Sequence, residues 1–395
     1  MVTETKQRTS LFAVAALVLA AVNLRLAVTS IGPVLAEIRA GLGMSGTVAG
    51  LLTSLPVVCF ASVGFAAPRL ARRFGAAAVV TAGLTLLTLG LAVRPFASST
   101  VVFILLSGVA LAGIAVVNVL LPMIVKERFA ERAGVFTGVY SLALNLGAAV
   151  AAGTTVPLAG ALGDDWRLGL AFWAVIAVLA VPPWLVLSRD HRAAARASAA
   201  DAPSGPPLRV ARTGVAWALA VYFGMQSTSP YVMIGWLPQI YRDAGLSAET
   251  AGVLFAVTSF LGVPLGFLVT SYAGRLRSQS LIALALGVSG IAGYGGLWWD
   301  PAAAPWVWAI LLGIVNCAFP LVLTMIALRG RTPASVVRLS AFGQGVGYII
   351  AIPGPILIGM LHDSSGGWRA PLGFMVALMI PQIIAGFQAG RDRQI

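Results

Sequence analysis

Residues 166–174, WRLGLAFWA, have a counterpart 202 positions later in residues 368–376, WRAPLGFMV. The shift takes Trp166-Arg167 onto Trp368-Arg369, Leu170 onto Leu372 and Phe172 onto Phe374. It also takes Leu35, Ile38, Ser45, Ala49, Gly50 and Leu52 onto Leu237, Ile240, Ser247, Ala251, Gly252 and Leu254. A shift of 198 takes Asn118 and Pro122 onto Asn316 and Pro320. Apolar segments resemble one another by chance, so single matches carry little weight. Trp-Arg and Asn-x-x-x-Pro at nearly one offset carry more, and they read as a duplication of half the chain.

Around these marks the 395 residues are 59% hydrophobic and only 10% charged, with a mean hydropathy of +0.93. Soluble domains hold about one quarter charged residues. A chain this apolar cannot cover itself with polar surface, so most of its solvent must be lipid. Disordered, collagenous, coiled-coil and disulfide-rich secreted classes are excluded. The two cysteines, Cys59 and Cys317, lie in apolar runs and read as core residues, not as a redox pair or metal ligands. The net charge of +13 falls in short clusters between apolar runs. Such clusters are topology signals, so no nucleic-acid partner is expected.

A helix needs about 20 apolar residues to cross the hydrocarbon core. Runs of that size lie near 10–36, 47–68, 75–93, 100–125, 133–160, 167–188, 213–240, 248–273, 279–298, 303–328, 336–361 and 369–389. The first is too long for a signal peptide and is read as retained. The segment 189–212, RDHRAAARASAADAPSGPPLRVAR, reads as a flexible linker. The expected organisation is therefore an all-α membrane protein with twelve transmembrane helices: a six-helix bundle over 1–188, the linker over 189–212 and a second bundle over 213–395. With both termini inside, the outer segments hold Arg39, Arg94, Arg167, Arg242 and Arg369, and Arg25 lies within a span. The remaining twenty of the 26 Lys and Arg fall in inner segments. That bias places both termini in the cytoplasm.

All thirteen acids fall at span ends or in loops, as do His191 and His362. No Asp, Glu or His is expected near mid-membrane, although Glu127 and Glu131 stand at the inner face. Arg25 is the exception among charges. Arginine at a helix centre costs about 3 kcal/mol or more, and it cannot shed its proton. It must meet an anion or several acceptors, and no buried carboxylate is available. A substrate anion or carbonyl dipoles of broken helices must fill that role. Gly32-Pro33, Ser229-Pro230 and Pro353-Gly354-Pro355 interrupt helical hydrogen bonding in spans one, seven and eleven. Gly134, Gly138, Gly147 and Gly153 in span five permit close helix contact. Gly343-Gln344-Gly345-Val346-Gly347 mimics a dinucleotide loop but lies inside an apolar run, so no cofactor is expected.

Two six-span halves in parallel repeat match the organisation of major facilitator transporters, whose substrate site lies near the midplane. Spans one, four, seven and ten line the cavity in that architecture. Arg25, Asn118, Gln226 and Asn316 supply one polar candidate from each. Asn23, Tyr140, Ser227, Tyr231, Gln344 and Tyr348 complete the candidate set. An interhelical hydrogen bond is the competing role for each Asn or Ser, and packing for each Tyr. The stretch after span two, Pro68-Arg69-Leu70-Ala71-Arg72-Arg73-Phe74-Gly75, resembles the loop such transporters carry there, G-x-L-A-D-R-x-G-R. Pro68 replaces its glycine and Arg72 its acid.

Several stretches together resemble the cyanate and 2-nitroimidazole porter (CynX/NimT) family of that superfamily. They are Asn23-Leu24-Arg25, Thr29-Ser30-Ile31-Gly32-Pro33, Leu51-Leu52-Thr53-Ser54-Leu55-Pro56, Asn118-Val119-Leu120-Leu121-Pro122 and Thr137-Gly138-Val139-Tyr140-Ser141. In the second half, Gln226-Ser227, Trp236-Leu237-Pro238 and Gln344-Gly345-Val346-Gly347-Tyr348 continue the resemblance. Leu26 departs from it, since proline often follows the arginine. The resemblance implies secondary transport of a small, anionic or polar planar solute by a monomer in the lipid bilayer, with no enzymatic activity. A drug or nitroimidazole-type exporter of the same superfamily is the alternative.

Overall fold

In the computed structural model the described residues are 2–129, 132–191 and 210–393. Most of the linker, and Glu131, lie outside them. Every regular element among the described residues is helical. No water in hydrocarbon can satisfy a backbone N–H or C=O, so a spanning segment must bond to itself. Span one is α1 (Val2–Thr29), a single turn of 3-10 helix (Gly32–Val34) and α2 (Leu35–Leu42). Spans two to six are α3 (Gly46–Phe74), α4 (Ala76–Val93), α5 (Thr100–Arg128), α6 (Ala133–Ala161) and α7 (Trp166–His191). Spans seven to nine are α8 (Gly214–Asp243), α9 (Ala248–Ala273) and α10 (Ser280–Trp299). Span ten is split into α11 (Pro305–Val315) and α12 (Ala318–Arg329), and span eleven into α13 (Pro333–Ala351) and α14 (Pro353–Ser365). Span twelve is α15 (Arg369–Ala389). The chain is thus a twelve-span, all-α membrane protein. Eleven spans have the length and apolarity to cross a bilayer. The twelfth, α8, is a 30-residue helix diluted by the polar run Gln226-Ser227-Thr228-Ser229.

Proline acts differently from span to span. In span ten Pro320 offers no N–H to Asn316, and its ring crowds that carbonyl. The Asn316 carbonyl takes the Phe319 N–H at 3.3 Å instead, and α11 ends one residue earlier. Span eleven breaks before Pro353 as expected. Span seven does not: α8 runs unbroken through Pro230 and Pro238. Losing one N–H is tolerated there because tertiary packing holds the helix, with Ser227–Ser229 and Tyr231–Tyr241 all buried. Residues 68–74, expected as a loop, form the last turns of α3, and only Gly75, at φ +88°, separates it from α4.

The helices gather into two compact units. One comprises Met1–Gly43 with Cys59–Asp201, the other Met44–Val58 with Ala202–Ile395. The first turns of α3 therefore belong with the second unit. In the first unit α4 packs on α5 and α7, while α1 packs on α6 and α7. Trp184 Nε1 donates to the Ala16 carbonyl at 2.9 Å, tying α7 to α1. In the second unit α8 packs on α13 and α15, and α10 on α11 and α15. Its core interleaves Leu219, Tyr222 and Phe223 of α8 with Ala318, Leu321, Val322 and Met325 of α12. Those spacings of three and four are the face of a helix.

One glycine crossing occurs in both units. A methyl on Gly147 of α6 would collide with the Val22 backbone of α1. A methyl on Gly347 of α13 would crowd the Ala220 carbonyl and Gly224 of α8. Small residues let backbones approach where lipid offers no hydrophobic drive to associate.

Candidate functional site

Arg25 stands near the middle of the span Phe12–Leu42 and is half-buried. Its carbonyl accepts Thr29 Oγ1 at 2.9 Å. Its guanidinium makes no hydrogen bond and no ion pair among the described residues. Asn118 on α5 and Tyr140 on α6 are half-buried too, and both helices adjoin α1 or its continuation within the first unit. The Asn118 amide has no hydrogen bond among the described residues.

Asn23 takes the competing role. Two residues on a helix are about 200° apart, so Asn23 faces away from Arg25. It is wholly buried and donates to the Leu19 carbonyl at 2.8 Å and the Ile176 carbonyl of α7 at 3.4 Å.

In the second unit four consecutive polar residues of α8 point in four directions, about 100° apart. Gln226 Nε2 donates to Ser227 Oγ at 2.8 Å, and Gln226 Oε1 has no partner among the described residues. Thr228 bonds back to the Gly224 carbonyl at 3.2 Å. Ser229 and Tyr294 of α10 share a hydrogen bond at 2.6 Å. Tyr231 is buried, one turn beyond Ser227. Asn316, half-buried at the break in span ten, donates only a weak contact to Met233 Sδ at 3.6 Å, and its Oδ1 is unmatched among the described residues. On α13, Gln344 Nε2 donates to Ser340 Oγ at 2.7 Å, and Tyr348 packs edge-on against Phe223. Of the candidates in this unit, Gln226 and Asn316 are therefore the ones still short of hydrogen-bond partners.

Two further arginines have roles that the sequence reading missed by counting them as loop cations. Arg94 is wholly buried, and its Nη2 donates to the Ala27 carbonyl at 3.0 Å. That carbonyl lies in the last turn of α1, where helical partners run out. Arg329 is 2% exposed. It donates to the Ala389 carbonyl at 3.1 Å, the Gly390 carbonyl at 2.9 Å and Gln279 Oε1.

These two arginines show what a structural guanidinium looks like in this chain: enclosed, and donating to a helix-end carbonyl. Arg25 is neither. Capping the break in span one, the alternative weighed for Arg25, falls to Arg94.

The Major Facilitator Superfamily model matches residues 17–352. The chain belongs to the Major Facilitator Superfamily. Within it, the transporter is 33% identical to the 2-nitroimidazole transporter of Escherichia coli (strain K12), over 97% of this chain and 96% of that protein. It is 33% identical to the cyanate transport protein CynX of the same organism, over 92% and 94%. It is 34% identical to the uncharacterized transporter YycB of Bacillus subtilis (strain 168), over 99% and 96%. Among solved structures, the nucleoside transporter NupG superposes with a TM-score of 0.75 at 11% identity, over 95% of this chain and 98% of that one. At that identity the likeness concerns the fold alone.

Proposed function

We propose that this transporter moves a small anionic or polar planar solute across a bacterial cytoplasmic membrane by alternating access, with Arg25 as the substrate anchor. The observation that carries the proposal is the guanidinium of Arg25 at mid-span, without a hydrogen-bond or ion-pair partner among the described residues. A cation there needs an anion or a set of acceptors, and Arg94 has taken a carbonyl at the end of α1. A planar guanidinium can grip a small planar anion with two parallel donors. Asn118 and Tyr140 on adjoining helices, and Gln226, Ser227, Asn316 and Gln344 in the second unit, orient the solute by hydrogen bonds. Tyr231 and Tyr348 supply aromatic faces or hydroxyls. Asn23 acts through the position of α1. Both termini face the cytoplasm, by the distribution of Lys and Arg, and the working unit is a monomer.

The relative named for 2-nitroimidazole matches as well as the one named for cyanate. A neutral planar heterocycle, exported rather than imported, is accordingly the second reading.

The test is ligand-induced thermal stabilisation of the purified protein with cyanate, nitrate, short carboxylates and 2-nitroimidazole, on wild type and Arg25→Ala. A ligand that binds only the folded state raises stability by mass action, by about 2.7 kcal/mol at a hundredfold excess over Kd. An anion that stabilises wild type and not the variant supports the anchor. Equal stabilisation of both proteins by 2-nitroimidazole alone refutes it and favours the second reading.

A further inference from the structure

The first four N–H groups of a helix have no partner within it. In α3 all four are satisfied, and from two sources. Ser45 supplies two in the ordinary way: its carbonyl accepts Ala49 N–H at 3.0 Å and its Oγ accepts Val48 N–H at 3.3 Å. The other two are taken by a residue more than three hundred positions away. Asp363 Oδ1 accepts Gly46 N–H at 2.9 Å, and Asp363 Oδ2 accepts Thr47 N–H at 2.8 Å. Thr47 Oγ1 adds a third bond to Oδ2 at 3.0 Å. A carboxylate also suits the positive end of the helix dipole. His362 Nδ1 lies 4.0 Å from Oδ1.

Below this cap the two helices cross on small residues. Gly46, Gly50 and Ser54 follow one another at i, i+4 and i+8 along α3. Methyls on Gly46 and Gly50 would strike Gly359 and the Pro355 carbonyl of span eleven, and Ser54 Oγ donates to the Ile352 carbonyl at 3.0 Å. The crossing holds residues 46–58 in the second unit, while the rest of α3, from Cys59, belongs to the first. At Gly46 and Gly50 the helix comes close to the backbone of span eleven. Hydrogen bonds across the crossing come from Asp363 and Ser54.

We infer that Asp363 is a positioning residue for transport: a releasable clasp that holds the first turns of α3 on α14 and sets how often that crossing opens. A helix shared between two units must part from one of them if the units move independently. The bonds that break first are the exposed ones at its tip. The inference rests on the transporter assignment and not on the anchor role of Arg25 or on any solute, so the two fail separately.

The test needs no substrate. Ser54 is fully buried under the crossing, so Ser54→Cys reacts with a maleimide only when the crossing opens. Native Cys59, buried on the same helix in the first unit, is the internal control. Labelling rates, read cysteine by cysteine from peptide masses, are compared in the full-length protein with Asp363, with Asp363→Asn and with Thr47→Val. The Asn side chain keeps the shape but turns a donor toward one of the two N–H groups. Losing a helix cap shifts an opening equilibrium by about 2- to 30-fold. The expected result is acceleration in that range at position 54 in Asp363→Asn, a smaller one in Thr47→Val, and no change at Cys59. An unchanged rate at position 54, or equal acceleration at Cys59, overturns the inference. If Asp363→Asn does not yield folded protein, Thr47→Val decides alone by the same comparison.

Discussion

Trp368 Nε1 donates to Asp243 Oδ2 at 2.8 Å. Residues 202 positions earlier, Trp166 and Gly41, make the same contact without the carboxylate: a Cβ on Gly41 would stand 3.2 Å from Trp166 Nε1. In each unit, then, the indole that opens the last span leans on the end of the first. In the first unit Arg167 lies over the face of the Trp166 ring at 4.6 Å, a cation–π contact. The duplication seen in sequence as Trp-Arg is thus a structural pairing, with a carboxylate acceptor for the indole N–H in the second unit.

That pairing predicts a modest loss for Asp243→Ala. The indole donor is partly exposed and can turn to water, so the cost is about 1 kcal/mol. Asp243→Asn, which keeps an acceptor, should cost less. Melting curves of the three purified proteins check the order.

Arg25→Lys should bind the anion that stabilises wild type at least about tenfold more weakly, because an ammonium cannot present two parallel donors. Its melting temperature without ligand should match wild type, since the guanidinium has no hydrogen-bond or ion-pair partner to lose among the described residues. Thermal-shift titrations measure both quantities. Wild-type affinity in Arg25→Lys would mean that charge alone matters.

Arg94 and Arg329 should respond in opposite ways to methionine. Arg94 makes one hydrogen bond, and its Nε and Nη1 have no partner among the described residues. A flexible apolar side chain of similar length removes a buried charge, so Arg94→Met should be near neutral or stabilising. Arg329→Met strips partners from three acceptors at once. Hydrogen bonds to charged groups contribute about 1.5–3 kcal/mol each, so a loss of about 3 kcal/mol or more is expected. Denaturation in mild detergent ranks the two variants.

Gly147→Val should abolish the yield of folded protein, because the new side chain meets the Val22 backbone and neither helix can yield. Gly138→Ala, elsewhere on the same helix, meets nothing within 4 Å and should be silent or slightly stabilising. Size-exclusion profiles after expression separate the two outcomes. Both glycines looked alike in sequence as contact points of span five.

Composition, span length and the internal repeat determined a twelve-helix membrane fold of two related halves, because lipid admits few alternatives for a spanning backbone. They also singled out Arg25, since a charge in mid-span has to be accounted for. Local sequence could not tell which interruptions would break a helix. Pro353 does and Pro230 does not, and the difference lies in the neighbours that bury α8. Nor could it sort the polar candidates, because consecutive residues of one helix point to different neighbours. Asn23 went to α7 and Ser229 to Tyr294, while the side chains of Arg25 and Asn118 have no hydrogen-bond partner among the described residues. The roles of Arg94, Arg329 and Asp363 arise only when distant segments meet. Arg94 finds its carbonyl at Ala27, Arg329 reaches the end of α15, and Asp363 caps a helix that begins at Gly46. A charge beside a span reads as a topology signal until tertiary structure brings a helix end within its reach.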